Sequence, residues 1–240
     1  MARMSEHSEK WQIREDPKVP APRTLAGFRR RLLGWFENHG RKFPWRRVSS
    51  SNYQYIVAEV LLQRTRAETV ANFFPKFIEE FPSWKELGCA RLTRLQRYLQ
   101  PIGLWRRRAT SIQSLARVMA NRNGRFPKDR EAIEALPGIG QYIANAVLLF
   151  CHGQPQPLLD VNMARVLERV FGPRKLADIR YDPYLQELAR TVVCCNSPAK
   201  LNWAILDLAS IICRQNNPRC SQCPLKAICF WYAKNAGRTF

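Results

Sequence analysis

Two carboxylates stand where their surroundings could turn them to chemistry. Glu59 lies in Ile56-Val57-Ala58-Glu59-Val60-Leu61-Leu62, a helical run that is apolar on every face. Such a carboxyl is expected to be buried, which is costly unless it is protonated or paired. Burial raises its pKa and suits it to donating a proton. A core pair with one of the chain's many Arg residues explains the same position equally well. Asp160 ends Pro157-Leu158-Leu159-Asp160, directly ahead of the helical pattern 161–170. Its local reading is an N-cap. An N-cap aspartate at the mouth of a cleft can also stabilise a positive charge, so the two roles are compatible.

The second constellation is cysteine. Four of the eight Cys crowd into Cys213-x6-Cys220-x2-Cys223-x5-Cys229. The others, Cys89, Cys151, Cys194 and Cys195, lie in or beside apolar helical segments and read as buried thiols. No basic-then-apolar leader opens the chain, which points to an intracellular protein and to metal binding rather than disulfides. Four thiolates suit either tetrahedral zinc or an iron–sulfur cluster. A single Cys-x2-Cys pair in one compact loop favours the larger [4Fe–4S] cube, with zinc the alternative. Arg214, Arg219 and Lys226 lie inside the loop and could face a phosphate backbone.

A third feature is Leu136-Pro137-Gly138-Ile139-Gly140, set between two helical patterns. Two glycines in a tight turn let backbone N–H groups converge, and the next helix adds its positive N-terminus. The arrangement serves as a phosphate seat or as an ordinary turn.

The charge decides which partner these features face. The chain has 240 residues, 39 Lys+Arg against 19 Asp+Glu, and a net charge of +20. Its pI is near 10.3. That excess points to a polyanion, most simply nucleic acid. Of the cations 29 are Arg, the residue that grips phosphate bidentately and stacks on bases. Residues 91–130 hold 11 Lys/Arg and one acid, Asp129, including Arg106-Arg107-Arg108 directly after Trp105. Hydrophobic residues make up 46%, so a core can form and wholesale disorder is excluded. The longest apolar runs, such as 144–151, are too short to cross a bilayer.

Helices must position these groups. Residues 1–22 are polar, hold Pro17, Pro20 and Pro22, and read as a mobile basic arm. Phe28, Leu32, Trp35 and Phe36 share one helical face. Helices are predicted near 53–64, 66–80, 91–99, 106–122, 129–136, 141–151, 161–170, 182–193 and 199–212, punctuated by Pro and Gly. No run alternates at period two, so the fold is predicted to be all-α.

Taken together, the motifs resemble the helix–hairpin–helix DNA glycosylases of the endonuclease III superfamily. The matching order is Glu59-Val-Leu-Leu-Gln63-Arg-Thr65, then Leu136-Pro-Gly-Ile-Gly140, then Leu159-Asp160-Val-Asn162 with Arg165-Val166, then the four cysteines. The resemblance covers about residues 25–230. It implies two helical domains with a DNA-binding cleft between them. A six-helix domain would span 47–154 and carry the hairpin. Residues 23–46 with 155–240 would form an iron–sulfur domain in which Cys213, Cys220, Cys223 and Cys229 hold a [4Fe–4S] cluster. It also implies a nucleotide flipped from double-stranded DNA before its N-glycosidic bond breaks. Asp160 would then stabilise the cationic sugar or position water, and Glu59 would assist the leaving base. Gly138, Gly140 and Gln141 would bind the backbone. A monomer is expected.

Position 142 separates members of the superfamily. Bifunctional enzymes have a Lys two residues after the second hairpin Gly, which forms a Schiff base with the sugar. Here it is Tyr142, and no Lys occurs between Lys128 and Lys175. The resemblance therefore implies a monofunctional enzyme in which water attacks. Tyr142 is either a core aromatic or a contact to the flipped base. Glu59, Tyr142 and Asp160 together look like the thymine-DNA mismatch glycosylases, which act on G·T and G·U pairs. The adenine branch is the alternative, but its members usually have a small residue at this position and carry an 8-oxoguanine-sensing domain. The chain stops eleven residues after Cys229, which leaves no expected room for one. A non-catalytic iron–sulfur DNA-binding protein is the remaining alternative. Within Gln63-Arg64-Thr65, Arg64 is the expected plug for the vacated base position, and Trp105 with Arg106 the wedge on the opposite strand.

Overall fold

The computed structural model describes residues 20–47 and 49–235. The expected N-terminal arm lies outside them except for Pro20–Pro22, and Pro22 already opens the first helix. Twelve α-helices follow in order among the described residues, with no strand. They are α1 (Pro22–His39), α2 (Asn52–Leu62), α3 (Ala67–Glu80), α4 (Trp84–Cys89), α5 (Leu92–Leu99) and α6 (Trp105–Asn121). The rest are α7 (Arg130–Glu134), α8 (Gln141–His152), α9 (Val161–Phe171), α10 (Pro183–Val193), α11 (Pro198–Ile211) and α12 (Phe230–Asn235). The all-α expectation is met, and the predicted helices fall close to those observed. Two short helices, α4 and α12, are not among those predicted. α4 is held by α6: Arg117 Nε donates to the Gly88 carbonyl at 3.1 Å. A Cβ on Gly88 would come within 3.1 Å of the Arg117 amide nitrogen.

The apolar side chains divide into two clusters. The first takes Phe43, Trp45 and the inner faces of α2 to α8, ending at Leu158. The second takes Leu25, Phe28 and Leu32 of α1 with the inner faces of α9 to α11 and Leu225. Phe43 and Trp45 thus pack with the first cluster, although the sequence boundary put 23–46 with the second. The chain crosses between clusters twice, near residues 40–46 and near 154–160.

Both crossings are pinned by buried polar side chains. Asn145 Nδ2 donates to the Pro157 carbonyl at 2.8 Å. Asn202 accepts from the Leu158 amide at 2.7 Å and donates to the Gln156 carbonyl at 3.1 Å. These bonds satisfy strap backbone that would otherwise be buried unpaired, and they deliver the chain to Asp160 in fixed register. At the other crossing, Asp207 of α11 is 0% exposed and accepts four hydrogen bonds. Two come from the Arg41 amide and Nε, each at 2.8 Å. Two come from Arg46, at 2.8 and 3.1 Å. The Arg46 guanidinium also lies 4.8 Å from the Phe43 ring centroid and 5.4 Å from that of Trp203.

Candidate active site

α2 starts with a capping box, Ser51 and Gln54 each bonding the other's backbone amide. Its next two turns are packed on all sides, and this places Glu59 in the interior at 4% exposure. α8 begins at Gln141 with no side-chain cap, so Tyr142 sits in its first turn. The Tyr142 hydroxyl donates to Glu59 Oε2 at 3.0 Å. Burial pushes the Glu59 carboxyl up to about 7; the Tyr142 hydrogen bond and the Arg46 charge oppose this, and the Asp160 charge adds to it. Burial likewise raises the Tyr142 phenol well above its ordinary value, reinforced by both carboxylates. At neutral pH Tyr142 is therefore a hydrogen-bond donor, and Glu59 is divided between its acid and its carboxylate.

Asp160 is the N-cap of α9. Its Oδ1 accepts from the Asn162 amide at 2.9 Å and the Met163 amide at 2.8 Å. Its Oδ2 accepts from Asn162 Nδ2 at 2.7 Å. Asn162 is backed by Arg165, which donates to Asn162 Oδ1 at 3.2 Å and to the Cys213 and Ala209 carbonyls. The capping reading is therefore correct, and it fixes the carboxylate without removing it from the site. Glu59, Tyr142 and Asp160 line one cavity of about 670 Å³, together with Trp45, Arg46, Gln63 and Arg64. That volume is in the range of ordinary ligand pockets.

The glycine turn is a tight link into α8. Gly138 has φ +74°, a conformation that favours glycine, and a Cβ there would require the Ser111 hydroxyl to rotate away. Gly140 is extended and faces open space, so nothing in the protein requires glycine there. Gln141 reaches the other cluster through a 3.3 Å hydrogen bond to Gln186 of α10.

Residues 57–188, which contain Glu59, the glycine turn, Tyr142 and Asp160, match the family model of the HhH-GPD superfamily base excision DNA repair proteins. The chain belongs to this superfamily. It is 37% identical over 213 residues to a thymine-DNA glycosylase of Aeropyrum pernix, covering 87% of this chain and 95% of that one. It is 36% identical to a thymine/uracil-DNA glycosylase of Pyrobaculum aerophilum, covering 90% and 96%. The solved structure of a thermostable thymine-DNA glycosylase superposes with TM-score 0.81 at 30% identity, over 88% of this chain and 98% of that chain. The protein is a DNA glycosylase.

On this glycosylase one loop lines the cavity and is hydrogen-bonded to a second loop beside it. The first, 63–66, follows α2 and carries Arg64 in a left-handed conformation, φ +56°. The second, 100–104, precedes α6 and carries Leu104, also left-handed at φ +51°. Of the expected wedge, Trp105 leans partly buried on the first core cluster. The Arg106 guanidinium stacks on its ring at 4.2 Å. The apolar side chain the loop presents outward is Leu104, 53% exposed, which the sequence reading passed over.

Asp207 and Arg46 were passed over as well. Asp207 lies in the apolar run 201–212 and is as incongruous there as Glu59 is in α2.

The four clustered cysteines are all part-buried. Among the described residues, no three His, Cys, Asp or Glu side chains form a group that could hold a metal ion. The four cysteines are nonetheless near enough to feel one another's charge. Burial pushes the Cys223 thiol up to about 12, and Cys213, Cys229 and Cys220 add their charge to the effect. Arg169 Nη1 lies 3.5 Å from Cys213 Sγ. Backbone amides at Leu225, Trp231 and Tyr232 support Cys223 and Cys229 as thiolates.

Proposed function

We propose that the protein removes a thymine or uracil mispaired with guanine, hydrolysing its N-glycosidic bond after the nucleotide is flipped out of duplex DNA. The observation that carries this reading is the Tyr142–Glu59 hydrogen bond of 3.0 Å, made in the same cavity as the N-capping Asp160. Its similarity to thymine-DNA and thymine/uracil-DNA glycosylases supports a pyrimidine target.

The reaction follows from the three groups. The C1′–N1 bond lengthens and charge develops on the sugar, where the fixed Asp160 carboxylate stabilises it. Glu59, in its acid form, gives its proton to the departing base and is left as the carboxylate. Water adds its oxygen to C1′ and returns a proton to the Glu59 carboxylate. Tyr142 holds Glu59 in place and contributes a phenol to the cavity wall. No amine stands at position 142, so no Schiff base forms there. Gly138, Gly140, Gln141 and the uncapped start of α8 would seat a phosphate, with Arg64 as the plug and Leu104 or Trp105 with Arg106 as the wedge. In this reading the cluster from Phe43 to Leu158 is the hairpin domain, and α1 with the chain from Asp160 onward is the iron–sulfur domain.

Cys213, Cys220, Cys223 and Cys229 would hold a [4Fe–4S] cluster. Four cysteines whose thiolate charges repel one another, with a guanidinium beside Cys213 and backbone amides at Cys223 and Cys229, fit a cationic centre that binds thiolates. The cluster would fix the loop carrying Arg214, Arg219 and Lys226 against DNA, and the chemistry at C1′ does not involve it.

The test is a panel of otherwise identical duplexes containing G·T, G·U, A·8-oxoguanine, A·G and hypoxanthine, with base release read after alkali. Release from G·T and G·U is expected. Release confined to adenine or hypoxanthine would replace the proposed substrate.

A further inference from the structure

Arg108 is the one member of Arg106-Arg107-Arg108 that is buried, at 6% exposure. It is turned away from solvent. Its guanidinium bonds both the loop that lines the cavity and the loop beside it. Nη1 donates to the Ile102 carbonyl at 3.0 Å and the Gly103 carbonyl at 2.6 Å. Nη2 donates to the Gln63 carbonyl at 2.6 Å and the Thr65 hydroxyl at 2.9 Å. Thr65 closes the link by donating to the Ile102 carbonyl at 3.3 Å. The residues beside these acceptors, Arg64 and Leu104, are the left-handed pair at φ +56° and +51°. Left-handed backbone is strained for any residue with a Cβ and persists where the surroundings over-determine it. The Arg108 fork is that over-determination for both loops at once.

We propose that Arg108 is a positioning residue that ties the Gln63–Thr65 loop to the Ile102–Leu104 loop, so that Arg64 and Leu104 enter the duplex as one rigid two-pronged unit. The inference rests on the reading above, that both tips enter the DNA. Planarity is essential to it, since the guanidinium spreads its donors over two loops and an ammonium at the same place cannot reach both.

The test separates unstacking from chemistry. A 2-aminopurine placed beside a mispaired target reports unstacking by stopped-flow fluorescence, and single-turnover base release reports bond cleavage. Arg108→Met is expected to slow unstacking by roughly 10-fold to 100-fold, the scale of a misplaced catalytic constellation, with base release falling in step. Arg64→Ala should slow unstacking in the native background and add little on top of Arg108→Met, since coupled residues are not additive. Should Arg108→Met fail to fold, Arg108→Lys keeps the stem and the charge and gives the same expectation. Unstacking at the native rate in either variant, or strict additivity with Arg64→Ala, overturns the proposal. Normal unstacking by the native protein with no base released from any mispair counts against the proposed reaction and leaves the Arg108 link standing.

Discussion

The Tyr142 hydroxyl donates to the Glu59 carboxylate at 3.0 Å, joining the first turn of α8 to a helix 83 residues earlier in the chain. This bond stabilises the ionised form of Glu59, opposing the larger effect of burial, which raises the carboxyl to about 7. Base release that depends on the Glu59 acid should therefore fall as pH rises through about 7. Tyr142→Phe removes the opposing hydrogen bond, so the alkaline limb should move to higher pH. Single-turnover rates across the pH range check both points. An alkaline limb unmoved by Tyr142→Phe would show that the phenol does not tune Glu59.

The same shift carries a stability consequence. The folded carboxyl titrates near 7 and an unfolded one near 4.5, so between those values the folded chain holds a proton that the unfolded chain lacks. Stability then falls as pH rises across that window, by at most roughly 3 kcal/mol at about 1.4 per pH unit. Glu59→Gln should abolish this dependence and raise the melting temperature above pH 7, while lowering base release by about 10²-fold or more. A melting temperature lower than native at pH 8 contradicts the buried-acid assignment.

Asp160→Asn isolates charge from capping. An Asn at the N-cap still accepts from the Asn162 and Met163 amides, and the two residues cap about equally well. The fold and DNA binding should survive, while release drops by roughly 10² to 10³ for want of the anion beside the sugar cation. Gel-shift binding and alkali-revealed release measure the two separately. Undiminished release rejects the proposed mechanism, and retained binding with lost release rejects a binding-only protein.

How much of this was legible in the chain depended on contrast. Glu59 stood out because six apolar residues surround it, and Asp160 because a helical pattern begins immediately after it. The three-dimensional partners gave no such contrast. Arg46 and Arg41 are two among 29 Arg, and nothing local marks them as a pair clamped on Asp207. Arg108 is indistinguishable from its two neighbours until the helix turns it inward. The two hairpin glycines look alike as letters, yet only Gly138 has the positive φ that favours glycine. Long-range pairing, and the direction in which a helical residue points, are set by packing, which composition does not encode.

Tyr142→Lys places an amine where the wall of the cavity now carries a phenol. Burial depresses a lysine pKa, which favours the neutral nucleophile, and Asp160 stands in the same cavity to stabilise the resulting cation. The variant should nick its product strand and be trapped on DNA by borohydride. Its absence in a folded variant would falsify the placement of residue 142 against the sugar.

The cysteine loop makes a prediction that needs no DNA. Freshly purified protein should be yellow-brown with broad absorbance in the visible blue, and iron should be found on elemental assay. Cys223→Ser should bleach it and loosen the loop that Arg169 ties to α9 through the Arg214 and Gln215 carbonyls. A colourless protein carrying zinc would overturn the cluster assignment while leaving the active site untouched.

Asp207→Asn tests what holds the cavity wall. The carboxylate is fully buried and accepts two bonds each from Arg41 and Arg46, so neutralising it leaves two guanidinium groups without their shared counter-ion. Removing one partner of a buried pair costs about 3–5 kcal/mol. Part of the Arg41 charge is screened by solvent, so the lower end applies. In a chain of this size that corresponds to a melting temperature lower by roughly 6–12 °C. Arg41 also pairs with exposed Glu68 at 2.9 Å, a contact open to water. Glu68→Gln should therefore change the melting temperature by no more than about 2 °C. Because Arg46 lines the cavity and its charge lowers the Glu59 pKa, Asp207→Asn should also alter the pH profile of base release. Thermal melts of both variants, set beside their pH–rate profiles, decide the matter. Equal, small effects from the two substitutions would mean that the segment carrying Arg41 and Arg46 is held by its aromatic contacts and not by Asp207.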